Sequence, residues 1–153
     1  MSKEHEKTLI LIKPDGVQRG LVGDILSRFE HKGLKVIALR MLQVTKDMAE
    51  NHYGEHKEKP FFGGLIEFIT AAPIVAIVVE GNNAISVIRK MVGATNPQDA
   101  APGTIRHDFG MHMGRNLIHA SDSTTSAEKE IGLFFETNQI IDWKKDVDYW
   151  VYE

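Results

Sequence analysis

A chain of 153 residues, 42% hydrophobic and 25% charged, is long enough to bury one sizeable core and has the make-up of an ordinary folded domain. Its net charge of −3 provides no global basic field for nucleic acid, so an anionic ligand would have to be held by locally gathered cations. The absence of cysteine excludes disulfides, thiolate catalysis and thiolate metal sites.

Met1 to Lys7 is charged and holds no apolar run, so no secretory signal is expected. The longest apolar run, residues 71–79, is broken by Pro73 and falls short of the ~20 residues a membrane helix needs. A cytoplasmic protein without a membrane partner is expected. Leu9 to Ile12 follow Thr8 without a polar break, the pattern of a strand covered on both faces. That run ends in Lys13-Pro14-Asp15-Gly16, which is turn chemistry and puts Lys13 at the strand's end. Val22, Ile25, Leu26 and Phe29 recur at helical spacing, and Gly33 supplies the stop. A longer, more mixed strand is expected over 34–44. Residues 45–59 are polar, with Asp47 and Glu50 spaced as a helix start. Pro60 opens a helical patch carrying Phe61, Phe62, Leu65, Ile66 and Ile69, weakened by Gly63-Gly64. Residues 74–79 read as a third strand, apolar throughout. Asn82 or Asn83 caps a helix with Ile85, Ile88 and Met91, and Gly93 ends it.

Residues 94–116 show no period and hold Pro97, Pro102, Gly103, Gly110 and Gly114. A stretch that long in a compact domain is usually functional or disordered. With Thr95, Arg106 and Arg115 in it, and a strand directly after, this one reads as ordered and functional. Leu117 and Ile118 suggest a short buried strand, His119 stands at its end, and the small hydroxylated and acidic residues that follow start a helix. Thr125 and Glu128 form a capping box, and Glu130, Ile131, Phe134 and Phe135 continue that helix. Trp143, Tyr149, Trp150 and Tyr152 in the tail argue for docking on the body or on a neighbour. This order of elements suits two split β-α-β units sharing a sheet. The expected fold is α+β and ferredoxin-like, a four-stranded antiparallel sheet with surrounding helices, the first and third strands central. Without repeats, linkers or low-complexity segments, residues 1–153 read as one domain.

Neither the phosphate-loop motif nor a dinucleotide fingerprint is present. His52-Tyr53-Gly54-Glu55-His56 matches a zinc-protease string, but Gly54 loosens the helix that would align the two imidazoles. His107, His112 and His119 share no helical face, and the first two read as solvated. Lys13, Arg89, Arg106 and Arg115 are individually ordinary surface cations. Jointly, three of them come from chain ends and loops that gather around a sheet edge, while Arg89 lies near the end of a helix. A phosphoryl group in transfer carries charge on three oxygens and needs positioning and cationic stabilisation. A histidine among such cations can itself be the nucleophile, since an imidazole of pKa about 6.5 is largely neutral near pH 7. Glu130 is the local carboxylate able to fix its tautomer.

Three segments carry a resemblance: Lys13-Pro14-Asp15-Gly16-Val17-Gln18-Arg19-Gly20, Gly103-Thr104-Ile105-Arg106, and Asn116-Leu117-Ile118-His119 with Ser121-Asp122-Ser123. In this order and spacing the chain closely resembles nucleoside diphosphate kinases, almost from Lys7 to Glu153. The resemblance implies ping-pong transfer of the γ-phosphoryl group from a nucleoside triphosphate to a nucleoside diphosphate through a phosphohistidine at His119. It implies that Glu130 orients the ring, with Tyr53 and Ser121 close by. Lys13 and Asn116 would bond the ribose hydroxyls, with Lys13 also near the transferring phosphate. Arg89, Thr95 and Arg106 would hold phosphates bridged by Mg²⁺, with no side chain as the principal metal ligand. Phe61 would stack on the base, with Leu65 and Met113 lining the slot, and stacking alone tolerates every base. The long loop with Pro97 and the aromatic tail resemble pieces that build the family's hexamers, though some relatives are tetramers.

Three positions depart from the family's habit: His107 and Ala120 stand where glycine is common, and Met113 replaces a smaller apolar residue. If position 120 needed positive φ, alanine there would add on the order of 1 kcal/mol of strain. The competing reading is a module for single-stranded nucleic acid, since a split β-α-β sheet can present aromatics to bases. No specific nucleic-acid partner is expected, because of the negative charge and the buried character of both central strands. A catalytically silent scaffold is disfavoured, because every reacting position is filled.

Overall fold

The computed structural model describes residues 5–153. In chain order the elements are β1 (His5–Ile12), α1 (Pro14–Gln18), α2 (Val22–Lys32), β2 (Lys35–Leu42), α3 (Lys46–His52), α4 (Phe62–Thr70), β3 (Ile74–Asn82), α5 (Ala84–Val92), α6 (Ile105–Phe109), β4 (Ile118–Ala120) and α7 (Thr124–Phe134). The strands form one sheet in the order β2-β3-β1-β4, every pair antiparallel. This is the ferredoxin-like α+β arrangement, with β1 and β3, which carry the continuous apolar runs, at its centre.

Their composition follows from that position. Side chains alternate across a pleated strand, so Leu9 and Leu11 point to one face and Ile10 and Ile12 to the other, and all four are fully buried. The first face is covered by α3, α4 and α7 through Ala49, Ile66, Ile69 and Phe134. The second is covered by α2, α5 and α6 through Ile25, Phe29, Ile88 and Ile105. Helices on both faces leave the central strands β1 and β3 no open surface on which aromatics could receive single-stranded bases. Among the described residues no helix is long and apolar enough to cross a membrane.

Several local readings shift. β2 is shorter than 34–44 and carries a bulge between Val36 and Ala38, where the chain's tail approaches this edge strand. Asn83 occupies the N-cap position of α5 at φ 54°, but its side chain caps nothing. The carboxylate of Glu6, arriving from β1, accepts the Ile85 N–H instead. The expected capping box at Thr125 and Glu128 does not begin α7. Ser123 is the cap, accepting the Ser126 N–H, because the chain leaves β4 extended and turns helical directly after it. Phe135 has left the helix, at φ −135°, and is buried in extended backbone. Inside the aperiodic stretch lie a 3-10 turn (Pro97–Asp99) and α6, whose five residues are too few to show a period. Thr104 caps α6 by accepting the His107 N–H.

The tail divides. Trp143 donates its indole N–H to the Val36 carbonyl, and the Tyr152 hydroxyl accepts the Asn82 N–H. Tyr149 and Trp150 stand 79% and 84% exposed and pack only edge-to-face on each other.

Candidate active site

The site is built on the connection between α6 and β4. Ile118 N–H bonds the Asn116 carbonyl at 2.8 Å, closing a three-residue γ-turn around Leu117, which has φ 74°. That sense of γ-turn is the rare, strained one. A leucine holds it because the surroundings leave no alternative. Asp15 Oδ2 accepts the Leu117 N–H at 3.0 Å, and the Lys13 N–H bonds the Leu117 carbonyl at 2.8 Å. Arg106 Nε and Nη2 donate to the carbonyls of Asn116 and Ile118 at 3.2 and 2.7 Å, and Nη1 to Gly93 at 3.1 Å. Gly16 has to be glycine here, since a Cβ would lie 3.2 Å from the Leu117 carbonyl and 2.7 Å from Ile12. The strain anticipated at Ala120 is absent. Ala120 is a buried strand residue, and the non-glycine residues with positive φ among those described are Asn83 and Leu117.

From this turn two groups enter a cavity of about 280 Å³. Asn116 is buried, its Oδ1 accepting from Lys13 Nζ at 2.9 Å and its Nδ2 donating to the Thr95 carbonyl at 2.9 Å. His119, two residues further on, meets Glu130 Oε1 through Nε2 at 2.7 Å, and Ser121 donates to the same oxygen at 2.7 Å. Burial works to raise the Glu130 carboxyl, but the hydrogen bonds from His119 and Ser121 outweigh it and hold it below the usual carboxylate range. With Nε2 engaged by a carboxylate, the free lone pair of His119 is at Nδ1.

Lys13, Arg89, Thr95 and Arg106 line the same cavity. Burial, and then the nearby Arg106 guanidinium, push Lys13 down to about 8, partly offset by Asp15. Arg106 is brought to about 10 by burial and then by Arg89. Three donors of Arg106 hold backbone carbonyls, so two of its five N–H groups remain for an anion. Arg89 reaches in from the last turn of α5 and donates to the Ala120 carbonyl at 3.1 Å. Tyr53 closes the wall from the end of α3, its hydroxyl raised to about 12 by burial and then by Glu130.

The remaining expected residues lie outside the cavity. Ser121 is buried and acts on it through Glu130. Leu65 packs, partly buried, against the α3–α4–α7 core, while Phe61 and Met113 are 51% and 57% exposed. Arg115 sits over the Phe68 ring at 4.5 Å, away from the cations it was grouped with, and His107 and His112 are exposed as expected. Two contributors escaped the sequence reading. Asp15 was read as a turn residue and is the acceptor that secures Leu117. His52, noticed only as half of a zinc-like string, lines the cavity and packs edge-on against the His119 ring at 4.7 Å. His56 lines the same cavity but packs on Phe61 at 5.5 Å, and among the described residues His52, Glu55 and His56 of the string form no three-ligand grouping of their own.

A histidine keyed by a carboxylate on one nitrogen, in a cavity shared with Lys13, Arg89 and Arg106, has the parts of a phosphotransferase site. The sequence profile described as nucleoside diphosphate kinase matches residues 6–140. A nucleoside diphosphate kinase of Archaeoglobus fulgidus is 60% identical over 148 residues, 97% of this chain and 98% of that one. The structure of a halophilic nucleoside diphosphate kinase from Halobacterium salinarum in complex with CDP superposes with a TM-score of 0.96 at 49% identity, covering 98% of this chain and 100% of that one. A transition-state mimic of the Borrelia burgdorferi enzyme with bound vanadate and ADP gives a TM-score of 0.90 at 42% identity, covering 94% and 95%. The chain belongs to the nucleoside diphosphate kinase family. It is a phosphotransferase that moves the γ-phosphoryl group of a nucleoside triphosphate to a nucleoside diphosphate.

Proposed function

We propose that the transfer runs by a ping-pong route through a phosphohistidine formed at Nδ1 of His119. The observation that carries this reading is the 2.7 Å contact of His119 Nε2 with Glu130, which keeps the ring proton on the far side and leaves Nδ1 as the nucleophile. In the first half-reaction an N–P bond forms at Nδ1 as the bond from the γ-phosphorus to the bridging oxygen breaks, and the nucleoside diphosphate leaves. In the second, the terminal oxygen of an acceptor diphosphate takes the phosphoryl group and the imidazole is restored. Glu130 stabilises the positive charge that the ring gains on attack, and Ser121 holds that carboxylate in place.

Arg89, Arg106 and Thr95 bind the phosphates, while Lys13 and Asn116, already joined at 2.9 Å, bond the ribose hydroxyls. Lys13 also reaches the phosphoryl group, beside Tyr53. Phe61 stacks on the base, with Leu65 and Met113 bounding the slot. Their half-open positions suit a face-on contact that reads no base edge, which supports broad base specificity. The charged groups nearest the phosphate positions are Lys13, Arg89 and Arg106, so Mg²⁺ fits this cavity as an ion carried in on the nucleotide's own oxygens. When bound, it supplies charge neutralisation. A homohexamer working in the cytoplasm as a single domain completes the reading, and the exposed Tyr149 and Trp150 support an intersubunit role for the tail.

Labelling with γ-radiolabelled ATP tests the central step. Acid-labile, base-stable label on the wild type, lost in His119→Ala, is expected. Undiminished labelling and exchange in that variant would refute the reading. A light-scattering mass of a dimer or tetramer would refute the hexamer.

A further inference from the structure

His52 lines the cavity and has no task in the transfer reaction. It is the last residue of α3, and both its ring nitrogens are buried with no hydrogen-bond partner among the described residues. A buried polar group with no partner calls for an occupant or a chemical role. Its surroundings point to an occupant. One ligand atom each from His52, His119 and Glu130 lie within 4.8 Å of one another. They come from three different elements, α3, β4 and α7, so the grouping is a product of the fold and not of a local sequence pattern.

We propose that His52, His119 and Glu130 form a binding site for a transition-metal dication of the Zn²⁺ type, and that its occupation switches the enzyme off. Two imidazoles and a carboxylate suit Zn²⁺, Co²⁺ or Ni²⁺, whereas Mg²⁺ demands oxygen ligands and would not be held there. His119 Nε2 and Glu130 Oε1 are already 2.7 Å apart with a proton between them, and a metal ion takes that proton's place as the pair opens slightly. His52 supplies the third ligand from a nitrogen that loses no other bond. The cavity opening admits water as a fourth ligand.

Loss of activity follows from the tautomer. The neutral imidazole carries one proton. In the working enzyme that proton is on Nε2, facing Glu130, and Nδ1 has the lone pair. With the metal on Nε2 the proton resides on Nδ1, and the nucleophilic lone pair is gone. Bonds and charge balance without any oxidant or further reactant. Lys13, Arg89 and Arg106 oppose a dication, while Glu130 is the counter-charge that retains it. The inhibitory consequence rests on His119 as the nucleophile, but the binding site does not.

The nucleotide-free enzyme, in buffer without phosphate, is titrated with Co²⁺ and followed by visible absorption, then with Zn²⁺ and followed by transfer activity at saturating Mg²⁺. One Co²⁺ per chain with bands of a low-coordinate site is expected, together with Zn²⁺ inhibition. His52→Phe keeps the aromatic packing against Tyr53 and Phe134 and removes the ligand. It should weaken Zn²⁺ by about tenfold or more relative to its own metal-free rate, since even outer partners of a metal site are worth about 10–100-fold. His56→Phe, outside the trio, should leave the Zn²⁺ midpoint where it was. Should His52→Phe fail to fold, ring resonances of His52 and His119 in the wild type must both move on adding Zn²⁺. An unchanged Zn²⁺ midpoint in His52→Phe, or the absence of Co²⁺ bands, overturns the site. Co²⁺ binding through these residues without loss of transfer instead overturns His119 as the nucleophile.

Discussion

Asp15→Ala tests whether a strained backbone turn aims His119, the nucleophile we propose. Asp15 accepts the Leu117 N–H at 3.0 Å, and Leu117 holds φ 74° at the centre of the γ-turn that precedes His119. A hydrogen bond to an ionised acceptor contributes about 1.5–3 kcal/mol, and its loss leaves a buried N–H without a partner. In a chain of this size each kcal/mol moves the melting temperature by roughly 2–4 °C, so a fall of about 4–10 °C is expected. The strain held at such a position is of order 1–3 kcal/mol, enough to let the turn relax once its clamp is removed. A nucleophile displaced by about 1 Å loses on the order of 10²-fold in rate. The assays are scanning calorimetry and single-turnover phosphorylation of His119. Asp15→Asn keeps an oxygen acceptor without the charge, so it should lose about half as much stability and retain most of the rate. An Asp15→Ala enzyme with wild-type melting and single-turnover rate would falsify the argument. Equal damage in Asp15→Asn would shift the role from the clamp to the charge beside Lys13.

Glu130→Gln replaces the charge-assisted bond to His119 with a neutral one, a difference of about 1–1.5 kcal/mol, so turnover should fall on the order of 10-fold with little change in KM. A rise in KM alone would contradict the orienting role. Lys13, pushed down to about 8, carries its charge below that pH and loses it above, so kcat/KM should decline on the alkaline side near pH 8. Bound phosphates favour the ammonium, so the decline in kcat should lie at higher pH. Lys13→Arg should lack this limb whatever its absolute rate, and a limb unchanged in that variant removes Lys13 as its source. Gly93→Ala places a Cβ 2.6 Å from Thr104 Oγ1 at φ 92°, beside the carbonyl that Arg106 holds. It should destabilise by about 2 kcal/mol or more. A melting temperature within about 1 °C of the wild type would show that the α5–α6 junction adapts freely.

What the sequence disclosed and what it withheld separate along a physical line. The identity of the two central strands followed from hydrophobic pattern, because a central strand must be apolar on both faces and only Leu9–Ile12 and Ile74–Val79 meet that condition. Lys13, Arg106 and His119 were legible through their motifs, since each presents its side chain to the cavity, whereas Arg115, grouped with the cations, lies over Phe68. The hidden parts are those in which a side chain acts on the backbone. Asp15 securing Leu117, Glu6 capping α5 and three donors of Arg106 holding carbonyls depend on where remote carbonyls and N–H groups arrive, and no local period encodes that. Ala120 illustrates the same limit in reverse. Substitution of a usual glycine suggested strain there, whereas the positive φ belongs to Leu117, a residue whose identity gives no warning of it. The groups we propose for catalysis are therefore written in side-chain chemistry and their alignment in backbone geometry. That division predicts that variants such as Asp15→Ala will lose single-turnover rate while every group thought to touch the nucleotide is still present.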